Sequence, residues 1–218
     1  MDTSGRAVST VPLEGGHLAL DFVNTVGGLY EEPSLDDELL DEYEDIPTWC
    51  ARLGVISERE AGSLRAAARR DPAAARRALG KALTLRELID GVFRPLSRGE
   101  NPPRELLDRL RDKDVEALSE ARLTRTGRPG DARADDAPFE WSWPPPHELT
   151  DPLRPIAHAA VELLTEGPLE RLKTCANCRW LFLDKSRNHS RRWCSMEECG
   201  LQMKHARFVE RRRRSTRA

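Results

Sequence analysis

The chain has 218 residues, of which 39% are hydrophobic and 33% are charged, a composition typical of a water-soluble protein with one ordinary domain and a small second module. No stretch approaches the roughly 20 apolar residues of a membrane-spanning helix, and the N-terminus lacks the basic start and apolar core of a signal peptide. We therefore expect a cytoplasmic protein with no membrane partner. Because the cytoplasm is reducing, clustered cysteines there indicate metal or redox chemistry more often than structural disulfides.

The net charge of -2 conceals two oppositely charged parts. Residues 1–170 carry 21 basic and 33 acidic side chains, a net charge of -12, whereas residues 171–218 carry 14 basic and 4 acidic side chains, a net charge of +10. This asymmetry is typical of a protein that presents one end to nucleic acid. A solvated tail that serves only solubility would have the same composition.

Residues 1–16 are expected to be flexible, and the part of the chain that follows is predicted to be mostly helical. Ser57 followed by Glu60 is a capping box, and Asp71 before Pro72 is an N-cap with proline at the first helical position. Apolar residues at helical spacing predict helices over residues 17–26, 46–53, 57–70, 71–96, 103–118 and 151–166.

Residues 121–143 have a different pattern from the helical stretches around them. A strand-like segment, ARLTRT, is followed by a stretch rich in Gly, Pro and Asp, and then by FEWSW. In FEWSW, Phe139, Trp141 and Trp143 alternate with polar residues, which is the period of a strand. We predict a β-hairpin with a long turn and one aromatic face. Residues 17–168 are thus predicted to form one mostly helical domain that senses a signal or dimerises.

The helical part contains no recognisable catalytic constellation. It has no H-E-x-x-H pair, P-loop, G-x-G-x-x-G or G-x-S-x-G sequence, so we expect no enzymatic activity. Asp21, Asn24 and Thr25 are polar residues beside the apolar face of the first predicted helix, and they are candidates for a small-molecule effector site. Such residues are also typical helix caps and turn formers.

Four cysteines near the C-terminus have the spacing of a zinc site. Cys175 and Cys178 are separated by two residues, fifteen residues follow, and Cys194 and Cys199 are separated by four. This pattern predicts one structural Zn²⁺ held by four thiolates, with no open position for catalysis. The alternatives are two redox disulfides, or cysteines that share this spacing by accident. Residues 180–183 are predicted to form a strand, 184–190 a polar turn and 191–194 a return strand.

A module this short cannot build a core of its own, so zinc must supply much of its folding free energy. From the sequence we expect loss of zinc to unfold this module and to leave the helical domain largely intact. The remaining cysteine, Cys50, stands alone beside Trp49 and is interpreted as a buried apolar residue.

The run RLKTCANCRWLFLDKSRNHSRRWCSMEECG, residues 171–200, resembles the CGNR zinc finger of bacterial proteins. The stretch HLALDFVNTV, residues 17–26, is similar to the opening motif of the ABATE domain that usually precedes this finger. The resemblance implies a transcription regulator whose finger binds DNA. One departure is that Leu201 and Gln202 replace the Asn and Arg of the family name, which are the expected hydrogen-bonding or phosphate-contacting groups.

The candidate nucleic-acid contacts lie on the finger and on a predicted basic helix after Cys199. At about 100° per residue, four cations of that helix share one stripe, and Leu201, Phe208 and Val209 beside it are predicted to pack on the finger's hairpin. Cations, with an asparagine on the hairpin turn, suit phosphate oxygens and base edges. The predicted contacts are Arg187, Asn188, Arg191, Arg192, Lys204, Arg207, Arg211 and Arg214.

The sequence therefore predicts a mostly α N-terminal domain with a small β-hairpin, followed at residues 169–218 by a four-cysteine zinc finger of hairpin and helix, similar to a zinc ribbon or treble clef. The predicted function is DNA-binding transcription regulation, with a small-molecule effector in the N-terminal domain and a homodimer as further expectations. The alternatives are a zinc-stabilised module that binds RNA or protein, and a redox-sensitive zinc switch.

Overall fold

The structure is a computed structural model that describes residues 7–27, 38–126 and 137–216, with only the backbone described at residues 206–207, 210–211 and 213–216. The prediction of a mostly helical protein is confirmed. The helices are α1 (Leu18–Val23), α2 (Asp45–Arg52), α3 (Glu58–Arg70), α4 (Pro72–Leu96), α5 (Arg104–Ser119), α6 (Leu153–Glu166) and α7 (Leu201–Thr216). Within these described ranges, no helix combines the length and apolar character needed to span a membrane.

The helix starts follow the capping signals of the sequence. The Ser57 hydroxyl accepts from the backbone N–H of Glu60 at 3.3 Å, and the Glu60 carboxylate accepts from the N–H of Ser57 at 2.7 Å, which completes the capping box at α3. Asp71 accepts from the N–H of Ala74 at 2.8 Å and caps α4. Local hydrogen bonds therefore determine where these two helices begin.

Helix α1 is shorter than the predicted helix over residues 17–26. It ends at Val23, the Thr25 hydroxyl donates to the carbonyl of Phe22 at 2.8 Å, and Val26 forms an isolated antiparallel bridge with Glu38. Thr25 thus serves as a turn former, and Val26 already belongs to an extended segment.

Residues 7–16, part of the segment for which the sequence predicts flexibility, pack onto the helical domain. Val8 and Val11 are buried. Their carbonyl groups both accept from the guanidinium of Arg52 on α2, at 3.0 and 2.7 Å. Two buried apolar side chains and one shared cation therefore hold this segment against the helical domain. Residues 1–6 lie outside the described part of the chain.

The predicted hairpin of the helical domain is present as β1 (Arg122–Arg125) and β2 (Phe139–Ser142), two antiparallel strands. Leu123 stands opposite Trp141 in the register. The aromatic face is largely open, because Phe139 is 58% and Trp141 42% exposed. Most of the predicted long turn lies in residues 127–136, outside the described part.

The second hairpin belongs to the cysteine-rich end and differs from the prediction. Strand β4 (Leu181–Leu183) pairs with β3 (Leu172–Thr174), with Lys173 opposite Phe182. The predicted return strand at residues 191–194 is wrong, since that segment has no regular structure. The reason is local: the chain reverses between the first two cysteines, where the N–H of Cys175 bonds the carbonyl of Trp180 at 2.9 Å, so β4 returns alongside the segment before them.

Both parts of the chain share one hydrophobic core. Helix α1 lies at its centre, where Phe22 packs against Trp49 with ring centroids 5.4 Å apart. Buried residues of α4 and α6 belong to the same cluster. The same cluster continues into the cysteine-rich end, where Trp180, Leu181 and Phe182 are no more than 1% exposed. The C-terminal module therefore does not fold around its cysteines alone.

Candidate metal centre

The four predicted cysteine ligands converge on one point. Their sulfur atoms all lie within 4.8 Å of one another, and all four residues are buried. Zinc–sulfur bonds of about 2.3 Å place tetrahedral ligands about 3.8 Å apart. The Sγ–Sγ distances from Cys194 to Cys178 and to Cys199 are both 3.6 Å, close to that value and far from a disulfide bond. The donor set fits one structural Zn²⁺.

Two turns present the cysteines. Cys175 and Cys178 lie on the knuckle between β3 and β4, and Cys199 lies on a π-helical turn, Met196–Gly200, that begins after Cys194. The hydroxyl of Ser195 caps this turn by accepting from the N–H of Glu198 at 3.3 Å. A backbone bond from Ala176 to the carbonyl of Arg192, 3.0 Å long, joins the two turns. Each ligand pair is thus held by backbone geometry.

The thiols alone cannot all be ionised. Hydrogen bonding from Cys178 lowers the pKa of the Cys175 thiol, whereas contact with Cys175 raises the pKa of both Cys178 and Cys194. One thiolate is therefore stabilised at the expense of its neighbours, because several negative charges at this distance repel each other. A divalent cation removes that repulsion, so metal binding and release of protons from the cysteines are coupled.

Comparison with protein families agrees with this geometry. Residues 171–212 match the model of the CGNR zinc finger, and residues 16–167 match that of ABATE, whose description is "Putative stress-induced transcription regulator". The chain belongs to the ABATE family. Its C-terminal module is a CGNR zinc finger with one structural zinc ion, as the sequence predicts. A search of curated proteins finds no match.

The opening motif of the ABATE domain holds the zinc finger in place. The side-chain amide of Asn24 donates to the carbonyl of Leu181 at 2.8 Å, and its oxygen accepts from the N–H of Leu181 at 3.0 Å. Asn24 therefore bonds β4 as a neighbouring strand would. The Trp180 indole donates to the carbonyl of Val26 at 2.8 Å, and the Leu183 N–H donates to the carbonyl of Gly15 at 3.0 Å. We call residues 14–26 the finger seat.

Helix α4 adds a second set of contacts to the finger. The guanidinium of Arg94 donates to the carbonyl of Arg179 at 2.8 Å while it pairs with Asp90. The hydroxyls of Ser97 and Thr174 lie 2.7 Å apart. The zinc finger is therefore bonded to the ABATE domain on two sides.

Asp21, Asn24 and Thr25, the residues of the predicted effector site, are all buried, and their polar atoms bond within the chain. Asp21 accepts from the N–H of Gly15 at 2.8 Å, and Thr25 accepts from Arg86 at 3.0 Å. Asn24 bonds the finger. An effector site at these three residues stays a prediction, whereas their contribution to the finger seat is visible in the contacts.

The turn after β4 is organised by a buried carboxylate that the sequence analysis did not identify as important. Asp184 is fully buried and accepts from the Lys173 ammonium at 2.6 Å and from the N–H groups of Ser186 and Arg191, both at 2.9 Å. Burial alone would raise the pKa of Asp184, but these hydrogen bonds outweigh it and hold the pKa well below its usual range. Asp184 therefore stays charged and fixes the turn.

The predicted nucleic-acid contacts differ in their exposure to solvent. Arg187, Asn188 and Arg192 are exposed. Arg191 is half-buried and engaged: its guanidinium donates to Glu14 at 2.6 Å and to the Trp193 carbonyl at 2.9 Å. The turn thus offers two arginines and an asparagine to solvent, while Arg191 ties it to the finger seat.

Helix α7 begins at the zinc centre. Gln202 in its first turn accepts from the side chain of Asn177 on the knuckle at 2.9 Å. Lys204 is exposed, and the side chains of Arg207, Arg211 and Arg214 lie outside the described part. The prediction that Leu201 and Phe208 pack on the hairpin is wrong, since they are 62% and 52% exposed. Those surfaces of the hairpin are already buried in the shared core.

The buried carboxyl of Asp21 should make the free energy of unfolding depend on pH. Burial raises its pKa to about 6, against the hydrogen bond from Gly15, which lowers it. The folded protein binds this proton more tightly than the unfolded chain, whose aspartate pKa is about 3.9. The stabilisation is therefore complete below pH 4 and is lost as the pH rises to about 6.

Asp21→Asn should consequently be more stable than the wild type above pH 6, by up to about 2–3 kcal/mol, with the difference vanishing near pH 4. Urea unfolding across this range measures both values. A variant that is less stable than the wild type at pH 7.5 would contradict the assignment.

Proposed function

We propose that this protein is a cytoplasmic DNA-binding transcription regulator, whose zinc finger and helix α7 contact DNA and whose ABATE domain regulates that contact. One observation carries the proposal: the exposed cationic turn around Arg187 lies between the two pairs of cysteine ligands, and the helix that carries Lys204 begins directly after the last ligand. The family description, a transcription regulator, supports it. The proposed function includes no enzymatic activity.

Electrostatics favour the finger end as the DNA-binding surface. Residues 171–218 have a net charge of +10, which becomes about +8 when four thiolates hold one Zn²⁺. Phosphate attracts this end and repels the acidic ABATE domain, so the two charges together orient the protein on a duplex. Because the finger is bonded to the ABATE domain, this orientation applies to the whole molecule.

The double variant Lys204→Ala, Arg207→Ala tests the proposal. Each lost phosphate contact should reduce the dependence of log affinity on log salt by about one unit, and the affinity for all duplexes should fall. Zinc content should not change, because neither residue is a ligand. Fluorescence anisotropy with labelled duplexes at several salt concentrations measures both quantities.

Arg76→Ala, Arg77→Ala is the matched control. It removes two exposed cations from α4 of the ABATE domain and changes the net charge by the same amount. Its affinity and salt dependence should stay near those of the wild type. Unchanged binding by the Lys204, Arg207 variant would reject α7 as a DNA contact.

Two observations support other functions strongly enough to be tested. The exposed Leu201 and Phe208 on α7 suit a protein partner. Competition binding among duplex DNA, RNA and a protein partner shows which of the three the finger prefers. The four adjacent cysteine sulfurs, none of them in a disulfide bond, suit a redox switch. Zinc release at low peroxide concentration, with loss of DNA binding that zinc and thiol restore, would support that switch. Light scattering, which measures the molar mass in solution, tests the prediction of a homodimer.

A further inference from the structure

An open cleft lies in the ABATE domain beside the N-terminal end of α1. It encloses about 660 Å³, and its walls come from the first residue of α1, the segment between α2 and α3, and the segment from β2 into α6. Small-molecule sites commonly have volumes of about 300–1,000 Å³. Within the described ranges of the chain, the cleft shares no lining residue with the zinc centre or the finger seat apart from Leu18 of α1.

The wall of the cleft is aromatic and aliphatic. Trp141 and Trp143 line it, together with Leu18, Val55 and several prolines. Both tryptophans contact the ring of His158 on α6, with centroid distances of 6.1 and 5.6 Å, and Trp143 also donates to the carbonyl of Ala117 at 2.9 Å. These contacts fix the indole rings, so the aromatic wall exists before any ligand binds.

The charged groups of the wall favour a cation. Arg154 and Asp151 form an ion pair at 2.8 Å and neutralise each other. Among the residues that the structure describes, the remaining charged group of the lining is Glu60, whose pKa is lowered by hydrogen bonds from Ser57, so its carboxylate is ionised at neutral pH. The surrounding domain is strongly acidic. Indole faces attract cations as well.

We propose that this cleft binds a lipophilic cation, a small molecule with aromatic rings and one delocalised positive charge. The rings would pack on Trp141, Trp143 and the aliphatic wall, and the charge would be balanced by Glu60. The inference concerns binding to the ABATE domain and does not depend on whether the finger contacts DNA. It supplies the chemical class of effector that the sequence analysis left open.

Tetraphenylphosphonium is a suitable probe, and tetraphenylborate is an anion of nearly the same size and shape. Titration of the full-length, zinc-loaded protein should show saturable binding of the cation at one site, with quenching of tryptophan fluorescence. Calorimetry gives the stoichiometry. The borate ion should bind at least about tenfold more weakly, because the carboxylate repels it.

Glu60→Gln should weaken cation binding about tenfold, and Trp141→Leu should weaken it comparably. Glutamine also serves in a capping box, so α3 should stay folded, and thermal unfolding monitors this. Glu58→Gln is the matched control: it removes an exposed charge from the same helical turn outside the cleft and should change the affinity less than twofold.

Three results would overturn the proposal. They are the absence of saturable binding at millimolar cation, borate binding as tight as that of the cation, and equal weakening by the Glu58 and Glu60 variants. The last result would show a general attraction to an acidic surface instead of a site.

Discussion

Replacing Cys175 by Ser is expected to release the zinc ion and to destabilise the ABATE domain together with the finger. The lost thiolate removes one of four ligands, and structural zinc contributes on the order of 10 kcal/mol to folding at neutral pH. Strand β4 of the finger lies in the same core as α1. Loosening the finger therefore exposes apolar surface of the helical domain as well.

The measurements are metal analysis and thermal unfolding followed by circular dichroism at 222 nm. Zinc should fall from about one equivalent to nearly none, and the unfolding temperature of the helices should fall with it. Cys50→Ala is the control, because this cysteine is buried in the helical domain outside the cluster and its removal should leave zinc in place. Cys50→Ala also removes a buried side chain, and its effect on the unfolding temperature is measured separately from its effect on the metal content.

Two outcomes would contradict this account in different ways. Zinc that stays bound at full stoichiometry in Cys175→Ser would refute the ligand assignment. Zinc loss without any change in the unfolding of the helices would show that the two parts are independent, as the sequence alone suggested.

Asn24→Ala is expected to detach the finger from its seat while the zinc ion stays bound. The substitution leaves both backbone groups of Leu181 without their partner in a buried position. Each unsatisfied buried group costs about 1–3 kcal/mol, so the free energy of unfolding should fall by about 2–5 kcal/mol. Hydrogen exchange at the Leu181 amide should accelerate, which localises the effect to the finger seat.

Asn188→Ala is the matched control, since it truncates the same side chain on the exposed turn of the finger. Its stability and its exchange at Leu181 should equal those of the wild type. Asn24→Asp gives a second comparison: it keeps the acceptor for the Leu181 N–H but places a carboxylate oxygen against the buried Leu181 carbonyl, so a loss at least as large as that of Asn24→Ala is expected. If Asn24→Ala had no effect on stability or exchange, the bidentate contact would not hold the finger.

The sequence predicted those parts of the structure that depend on neighbours along the chain. The helix starts at Ser57 and Asp71 follow from side chains that bond backbone groups three residues away. The zinc centre was equally accessible, because a pair of closely spaced cysteines constrains its own geometry. In each case the signal is a spacing of a few residues along the chain.

The parts that the sequence did not reveal depend on contacts between distant segments. Asn24 bonds Leu181, 157 residues further along the chain, and nothing near Asn24 identifies its partner. The same holds for Asp184, an aspartate in a polar stretch whose burial follows from the packing of β4 against the ABATE domain. The strand β3 was missed because its three residues are too few to show an alternating pattern.

Helix α1 has only six residues, with Leu18 at the wall of the cleft and Asn24 just beyond its last turn in contact with the finger. So short a rigid element transmits a shift at one end to the other with little loss. If a molecule in the cleft favours one position of α1, the finger has a preferred position too, and the coupling is reciprocal by thermodynamic necessity. Removal of zinc should then change the affinity for that molecule by some factor. Binding of the molecule should change the affinity for zinc by the same factor.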